Sequence, residues 1–353
     1  MSQDGHPLPG VPLVESPFFE EVFTPESHAP ATLELARALH EDGFAVLDFP
    51  DDDIDRVADG IRERLESRFN WQEWRDWGIK TGDGMRLQDA WRYDEGVRRL
   101  ATNEAITELL STLYGRRAWP FQTLTFPVGT QQHYHSDAVH FSCVPERFMC
   151  GVWIALEDVH EDAGPLVYYP GSHRWPIYGN EHIGRHAGTL GYGSTQEVFE
   201  PLWEALIRVH GAEPKRFSAK KGQALIWAAN LLHGGEPQRS PDRTRWSLVT
   251  HYYFDDCVYY TPMNSDPFQG NIDLRRPLNL LTGEPTVPTL VGHEPRPDFV
   301  EAVRIREPDL PDGFDEAEYY AANPDVERAG MDAAEHWVLY GQHEGRQIRP
   351  DDG

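Results

Sequence analysis

His135 and Asp137, two residues apart in the stretch QQHYHSDAVHFSCVPERFMCGVW, offer an imidazole and a carboxylate to one cation. On an extended strand, side chains i and i+2 leave the same face, so the pair converges while Ser136 points away. A distant second imidazole, for which His233 in LLHGGEPQRS is the candidate, completes a two-histidine, one-carboxylate face with open coordination positions. That is the set used by non-haem Fe(II) oxygenases. Taken alone His-x-Asp is a weak signal: among 16 His and 58 acidic residues chance pairs arise, and a partly exposed strand histidine beside an aspartate is the plainer reading. Arg245 and Ser247, in RWSLVTHYYF, strengthen it. A guanidinium fork and a hydroxyl on one strand face can jointly hold a planar carboxylate. Beside an open iron, such a clamp suits 2-oxoglutarate as co-substrate and leaves a position for O2. Arg239 and Arg243 lie close by, so a surface arginine is the alternative for Arg245.

Several elements must position these groups. ATLELARALHEDG spaces Leu33, Leu35, Ala36 and Leu39 for a helix ended by Gly43, and FAVLDF then reads as a strand. IDRVADGIRERLESRF and AITELLSTLYG predict two more helices. From Trp119 onward β-type runs take over: PFQTLTFPV, QQHYHSD, CGVWIALED, GPLVYYPG, GQALIWAA and WSLVTHYYF. Short strands between turn signals, with helices in front, predict a helix-buttressed β-sandwich or barrel. Trp71, Trp74 and Trp77 recur at three-residue spacing, which reads as core packing before it reads as a ligand cage. His173 sits in Pro-Gly-Ser turn chemistry rather than in a ligand set. The stretch from His173 to Lys220, with a helix expected in TQEVFEPLWEALIRVHG, interrupts the strands as a lid or substrate loop would. Tyr178, His182 and Arg185 within it are candidate substrate contacts. So are Tyr134, His140 and Phe141 beside the metal pair, and Asn230 could orient a neighbour through its amide.

Ordered blocks from about Leu33 to Tyr260 resemble the phytanoyl-CoA dioxygenase family of Fe(II)/2-oxoglutarate oxygenases: ELARALHEDGFAVLD, HSD, GVWIALED, GPLVYYPGSHRWP, AKKGQALIWAANLLHGG and RTRWS. The resemblance implies a mainly β fold with flanking helices, a double-stranded β-helix (jelly roll, cupin-like). It also implies iron on His135, Asp137 and His233, with Arg245 on the far carboxylate of 2-oxoglutarate. Trp153 matches a position beside the co-substrate, and Gln122 an upstream polar position that touches it. Relatives often carry Ser two residues after the distal histidine, where this chain has Gly235. Related halogenases have a small residue in place of the carboxylate, so Asp137 favours hydroxylation, with release of succinate and CO2, over chlorination, and leaves desaturation or ring chemistry open. A cupin-like enzyme or binding protein without 2-oxoglutarate is the alternative, and Arg245 with Ser247 counts against it.

The chain of 353 residues can bury a large core, and a net charge of −26 without a basic stripe argues against nucleic acid or an anionic membrane as partner. Three cysteines in no zinc-type spacing fit a reducing cytoplasm, and no apolar run reaches the roughly 18 residues of a membrane span. We divide the chain into a surface segment (1–30), the dioxygenase domain (31–262), a Pro-rich linker or strap (263–310) and a small helical module (311–350). The module, FDEAEYYAANPDVERAGMDAAEHWVLYGQHEGR, resembles a repeat found in bacterial glycosyltransferases and surface-polysaccharide proteins. It reads as two helices joined at Asn323-Pro324, with Tyr319, Tyr320, Trp337 and Tyr340 as the buried stripe. Docking or self-association is its expected role. The likeness suggests a saccharide or cell-envelope precursor as the small-molecule substrate.

Overall fold

A computed structural model describes residues 7–76, 85–186, 196–240, 242–270, 272–296, 310–311, 313–329, 333–337, 341 and 346–350. Its centre is an antiparallel six-stranded sheet. In chain order the strands are β1 (Phe44–Asp48), β2 (Leu87–Gln88), β3 (Ala118–Phe126), β5 (Met149–Ala155), β8 (Gln223–Ala228) and β10 (Ser247–Phe254), arranged β1-β8-β5-β10-β3-β2. Between them run β4 (Ser142–Val144), β6 (Leu166–Tyr168), β7 (Lys215–Phe217) and β9 (His233–Gly235), and after them β11 (Val258–Tyr260). Strands β7-β6-β9 form a second sheet and β11-β4 a short pair.

Strand alternation gives the large sheet two different faces. Leu248, Tyr252 and Phe254 of β10, with Val152, Ile154 and Ile226 beside them, join the main core. Helices Pro30–Asp42, Ile54–Leu65 and Glu104–Tyr114 contribute Leu39, Ile61 and Leu110 to the same core. The first helix stops where sequence predicts, because Gly43 takes φ 82° and donates its N–H to Leu39 O; a Cβ there would also strike the His173 ring. The opposite face carries Val249, Trp153, Leu225 and Trp227, which meet Leu166, Tyr168 and Phe217 of the small sheet. Trp153 packs edge-on against Phe217 (ring centroids 5.7 Å apart) and Phe44 against Tyr168 (4.3 Å). Two antiparallel sheets enclosing an apolar layer are the sandwich expected from the strand-rich half of the chain.

Trp74 is buried in the core, and Trp71 donates to Glu66 O and leans on Trp246, so both pack; Trp77 falls outside the described residues. The helix expected in the interrupting stretch is Glu200–His210, shorter than its segment and seated through Phe199 and Trp203. The strap is not loose: Leu280 N–H donates to Pro120 O and its side chain enters the main core. The C-terminal module corrects the two-helix expectation, having three short helices (Glu316–Ala322, Pro324–Ala329, Ala333–His336) among the described residues. Tyr319, Val326 and Ala333 form its core, with Tyr320 and Trp337 packed on it, and Tyr319 Oη lies 2.8 Å from His336 Nδ1; Tyr340 falls outside the described residues. Among the described residues no helix is long and apolar enough to cross a membrane.

Candidate metal centre

The backbone brings the two histidines together directly. His135 and His233 form an isolated antiparallel bridge, with N–H to O distances of 2.8 and 3.0 Å in the two directions. QQHYHSD is therefore not a full strand: after extended Ser136 (φ −106°, ψ 128°) the chain turns into a 3-10 turn that begins at Asp137. Asp137 still reaches the histidines because Ser136 anchors that turn, its hydroxyl donating to Asn230 Oδ1 at 2.8 Å, away from the cluster. Asn230 Nδ2 in turn donates to Trp175 O, so it orients this turn, as its amide chemistry suggested.

His135 Nε2 lies 3.6 Å and His233 Nε2 3.9 Å from Asp137 Oδ1, all three residues are buried, and together they could hold a metal ion. The donor atoms are preset for it. Each Nδ1 sits 2.9 Å from a carbonyl, His133 O for His135 and Leu231 O for His233. A carbonyl only accepts, so each Nδ1 carries the proton and each Nε2 presents a lone pair. Trp227 Nε1 donates to Asp137 Oδ2 at 2.7 Å, leaving Oδ1 for a cation. Gly151, opposite Trp227 on β5, is required for this: a Cβ there would lie 2.2 Å from the indole. Gly235 is fixed in the same way, since a Cβ would meet Gln131 N and Thr130 Oγ1 at 2.8 Å; that is why the serine of relatives has no room here.

Burial pushes the His135 pKa down to about 3, helped by the neighbouring His233, so the ligand is neutral at physiological pH. Burial opposes the Asp137 charge, but His233, His251 and His135 together with the Trp227 hydrogen bond outweigh it and hold the carboxyl ionised, at about 2. A neutral imidazole with an ionised carboxylate is the donor chemistry that a divalent transition metal takes. The same burial sets a pH dependence. His135, His251 and His173 hold pKa values of about 3, 4 and 4, against 6.5 in the unfolded chain. As pH falls below 6.5 the unfolded state takes up protons that the folded state refuses, so the metal-free protein loses stability from there downward. The slope is about 1.4 kcal/mol per pH unit for each such imidazole. Urea midpoints of metal-free protein should drop between pH 7 and 5; a flat profile contradicts neutral buried imidazoles.

Around the cluster the sheet face supplies further groups. His251, on β10, places Nε2 3.7 Å from Asp137 Oδ2 and Nδ1 3.1 Å from Gln122 Oε1. Arg245 precedes β10, tied by its N–H to Pro127 O, and is buried. Its Nη1 donates to Gly164 O at 2.8 Å and its Cζ lies 5.9 Å from the Trp153 ring centroid. Burial lowers its pKa to about 10, yet among the described residues it has no carboxylate partner. Arg245 Nε, Ser247 Oγ and Trp153 Nε1 are all buried without a hydrogen-bond partner among the described residues. Buried donors left unmade are costly, and three on one sheet face fit an absent acceptor.

Of the expected substrate contacts, Phe141 lies against His251 (ring centroids 5.0 Å apart) and His140 against His135 (6.0 Å), so both lie beside the metal cluster. Tyr134 instead packs edge-on against Tyr169 in the cluster under the Glu200–His210 helix. Tyr178 pairs with His182, and Arg185 is exposed with its N–H on Asn180 O; no described contact joins any of these three to the metal cluster. His173 is buried against Gly43, with Nε2 3.2 Å from His40 O, and is no ligand. Sequence reasoning missed Trp227 and His251. His251 was within reach, since it continues the 245, 247, 249 alternation as a lone imidazole in an apolar strand. Trp227 depends on a register that only tertiary pairing sets.

Known proteins resemble this chain over part of its length. An ectoine dioxygenase of Halomonas elongata is 28% identical over 200 residues, 52% of this chain and 59% of its own length. The peroxisomal phytanoyl-CoA dioxygenase of Rattus norvegicus is 25% identical over 131 residues, 37% of this chain and 36% of its own. The match thus spans less than two thirds of these curated relatives. Among solved structures, the non-haem alpha-ketoglutarate-dependent carbocyclase SnoK from nogalamycin biosynthesis aligns with a TM-score of 0.52 at 17% identity, over 74% of this chain and 94% of that one, which is a likeness of fold. The family model for phytanoyl-CoA dioxygenase (PhyH) matches residues 39–246, a span that holds the three candidate ligands and runs just past Arg245. More than half of the chain lies inside that match, and the chain belongs to the phytanoyl-CoA dioxygenase family.

Proposed function

We propose that the protein is an Fe(II)- and 2-oxoglutarate-dependent dioxygenase that hydroxylates a C–H bond of a small molecule, with release of succinate and CO2. The observation that carries this reading is the pairing of two features: a preset His135, Asp137, His233 donor set, and the buried unpartnered donors of Arg245, Ser247 and Trp153 on and beside the large sheet. The three ligands would hold iron through His135 Nε2, His233 Nε2 and Asp137 Oδ1. Bound iron with its co-substrate would supply the oxidising power, coupling decarboxylation of 2-oxoglutarate to oxidation of the substrate. The chain's own residues bind and orient. Arg245 and Ser247 take the far carboxylate, Trp153 walls the co-substrate, Trp227 fixes the ligand carboxylate, and Gln122 steadies the His251 ring.

A cupin-like protein without 2-oxoglutarate has no use for a buried guanidinium lacking an acid partner, which favours the oxygenase. The saccharide expectation belongs to the C-terminal module, where Tyr319 and Tyr320 turn into its own small core, so any docking would use its outer faces. The test is anaerobic addition of Fe(II) and then 2-oxoglutarate to metal-free protein, watching for the weak visible charge-transfer band of the chelate. The band should appear only with both present. Iron binding with no band at saturating 2-oxoglutarate would move the cupin-like reading ahead.

A further inference from the structure

Arg275 lies on the strap after β11, and its backbone N–H donates to Tyr259 O at 2.8 Å, which fixes it beside that strand. Its guanidinium sits over Phe141, with Cζ 4.9 Å from the ring centroid; Phe141 in turn lies against His251, the neighbour of Asp137. Nη1 is occupied by Thr261 Oγ1 at 3.2 Å, while Nε is closed off from solvent without a hydrogen-bond partner. Among the described residues no carboxylate lies within ion-pair distance of it; Asp89 feels its charge but is engaged by the Thr123 N–H at 2.9 Å. Its positive field reaches His140 and His251, adding to the burial that lowers both pKa values.

We propose that Arg275 is the substrate-recognising group of this site, and that the substrate is a small carboxylic acid whose carboxylate it receives. This rests on the oxygenase reading. With Nη1 on Thr261, the Nε and Nη2 edge remains, and that edge is the fork that matches a planar carboxylate with two parallel hydrogen bonds. Position separates this carboxylate from that of the co-substrate. Along β10, Arg245 and Ser247 lie at one end, His251 follows four residues on, and Phe141 with Arg275 lies beyond it. Two guanidiniums, neither ion-paired with a carboxylate among the described residues, thus lie at the two ends of this path, one for each organic acid. A purely structural staple of the strap onto Phe141 needs only a cation over a ring, which a lysine supplies, and gives no reason for a buried, unmade Nε–H.

The test uses the anaerobic protein with Fe(II) and 2-oxoglutarate bound, titrated with phenylacetate and cyclohexanecarboxylate and with their primary amides, reading the chelate band. In wild type the acids should perturb the band saturably and the amides at least about tenfold more weakly, the amides lacking the charge of the pair. Arg275→Gln should weaken the acids by about tenfold or more, and Arg275→Lys should not restore them, because the fork is lost. The affinity for 2-oxoglutarate itself should stay within about twofold in both variants, since Arg245 is intact. Equal response to acids and amides, no saturable response to any acid, or unchanged acid binding in Arg275→Gln overturns the assignment while leaving the chelate reading standing. A wild type that shows no band removes the oxygenase reading, and this inference with it.

Discussion

Asp137→Ala should abolish iron-dependent formation of succinate while the fold persists. The carboxylate is the single anionic donor of the cluster, buried between two imidazoles that present lone pairs to the same space. Two neutral imidazoles cannot offset the charge of a divalent ion, so more is lost than one bond. Removing an outer hydrogen bond to a ligand typically costs about 10–100-fold in metal affinity, and removal of the ligand should exceed about 100-fold. Trp227→Phe separates the two effects: it keeps all three donors and loses only the 2.7 Å bond to Oδ2, so its loss should fall inside the 10–100-fold range. The fold should tolerate both changes. Asp137→Ala leaves the Trp227 N–H unmade, at about 1–3 kcal/mol, but also withdraws a charge from a dry interior. Iron titration and thermal melts of the metal-free variants check this. An alanine variant that binds iron as tightly as wild type places the metal elsewhere.

How much of this was legible in the sequence depends on distance along the chain. The first helix with its Gly43 stop, the FAVLDF strand and the alternation of β10 are local, and they follow from periodicity and turn chemistry. The ligand set was legible because His135 and Asp137 are close in sequence, although the geometry that joins them was not: Asp137 stands at a 3-10 turn rather than on a strand. What could not be read was set by register and crossing chains. Gly151 makes room for Trp227 only because β5 pairs with β8, and Arg275 reaches the site only because the strap folds back onto β11. A Pro-rich stretch reads as a linker when its contacts lie more than a hundred residues away. For Tyr178 and Arg185 no described contact reaches the cluster, since closeness in sequence to a disruptive loop says nothing of which way that loop faces.

Arg245→Met should raise the KM for 2-oxoglutarate by about 30-fold or more without destabilising the protein that lacks ligand. Breaking one side of a buried, hydrogen-bonded charge pair costs about 2–5 kcal/mol, which converts to roughly 30- to several thousand-fold. That cost appears only with the co-substrate present, because Arg245 has no carboxylate partner among the described residues. In the ligand-free protein the same guanidinium is a burden: burial lowers its pKa to about 10, and among the described residues its Nε is unmade and it hydrogen-bonds to Gly164 O alone. Methionine of similar length fills the space over Trp153 with no charge to desolvate, so the melting temperature should hold or rise, as when buried ion pairs give way to apolar side chains. Saturating 2-oxoglutarate, which should stabilise wild type by mass action, should then stabilise the variant far less at the same concentration. A structural arginine predicts the opposite pattern, a lower melting temperature with KM unchanged, so the two measurements together decide whether Arg245 serves the fold or the co-substrate.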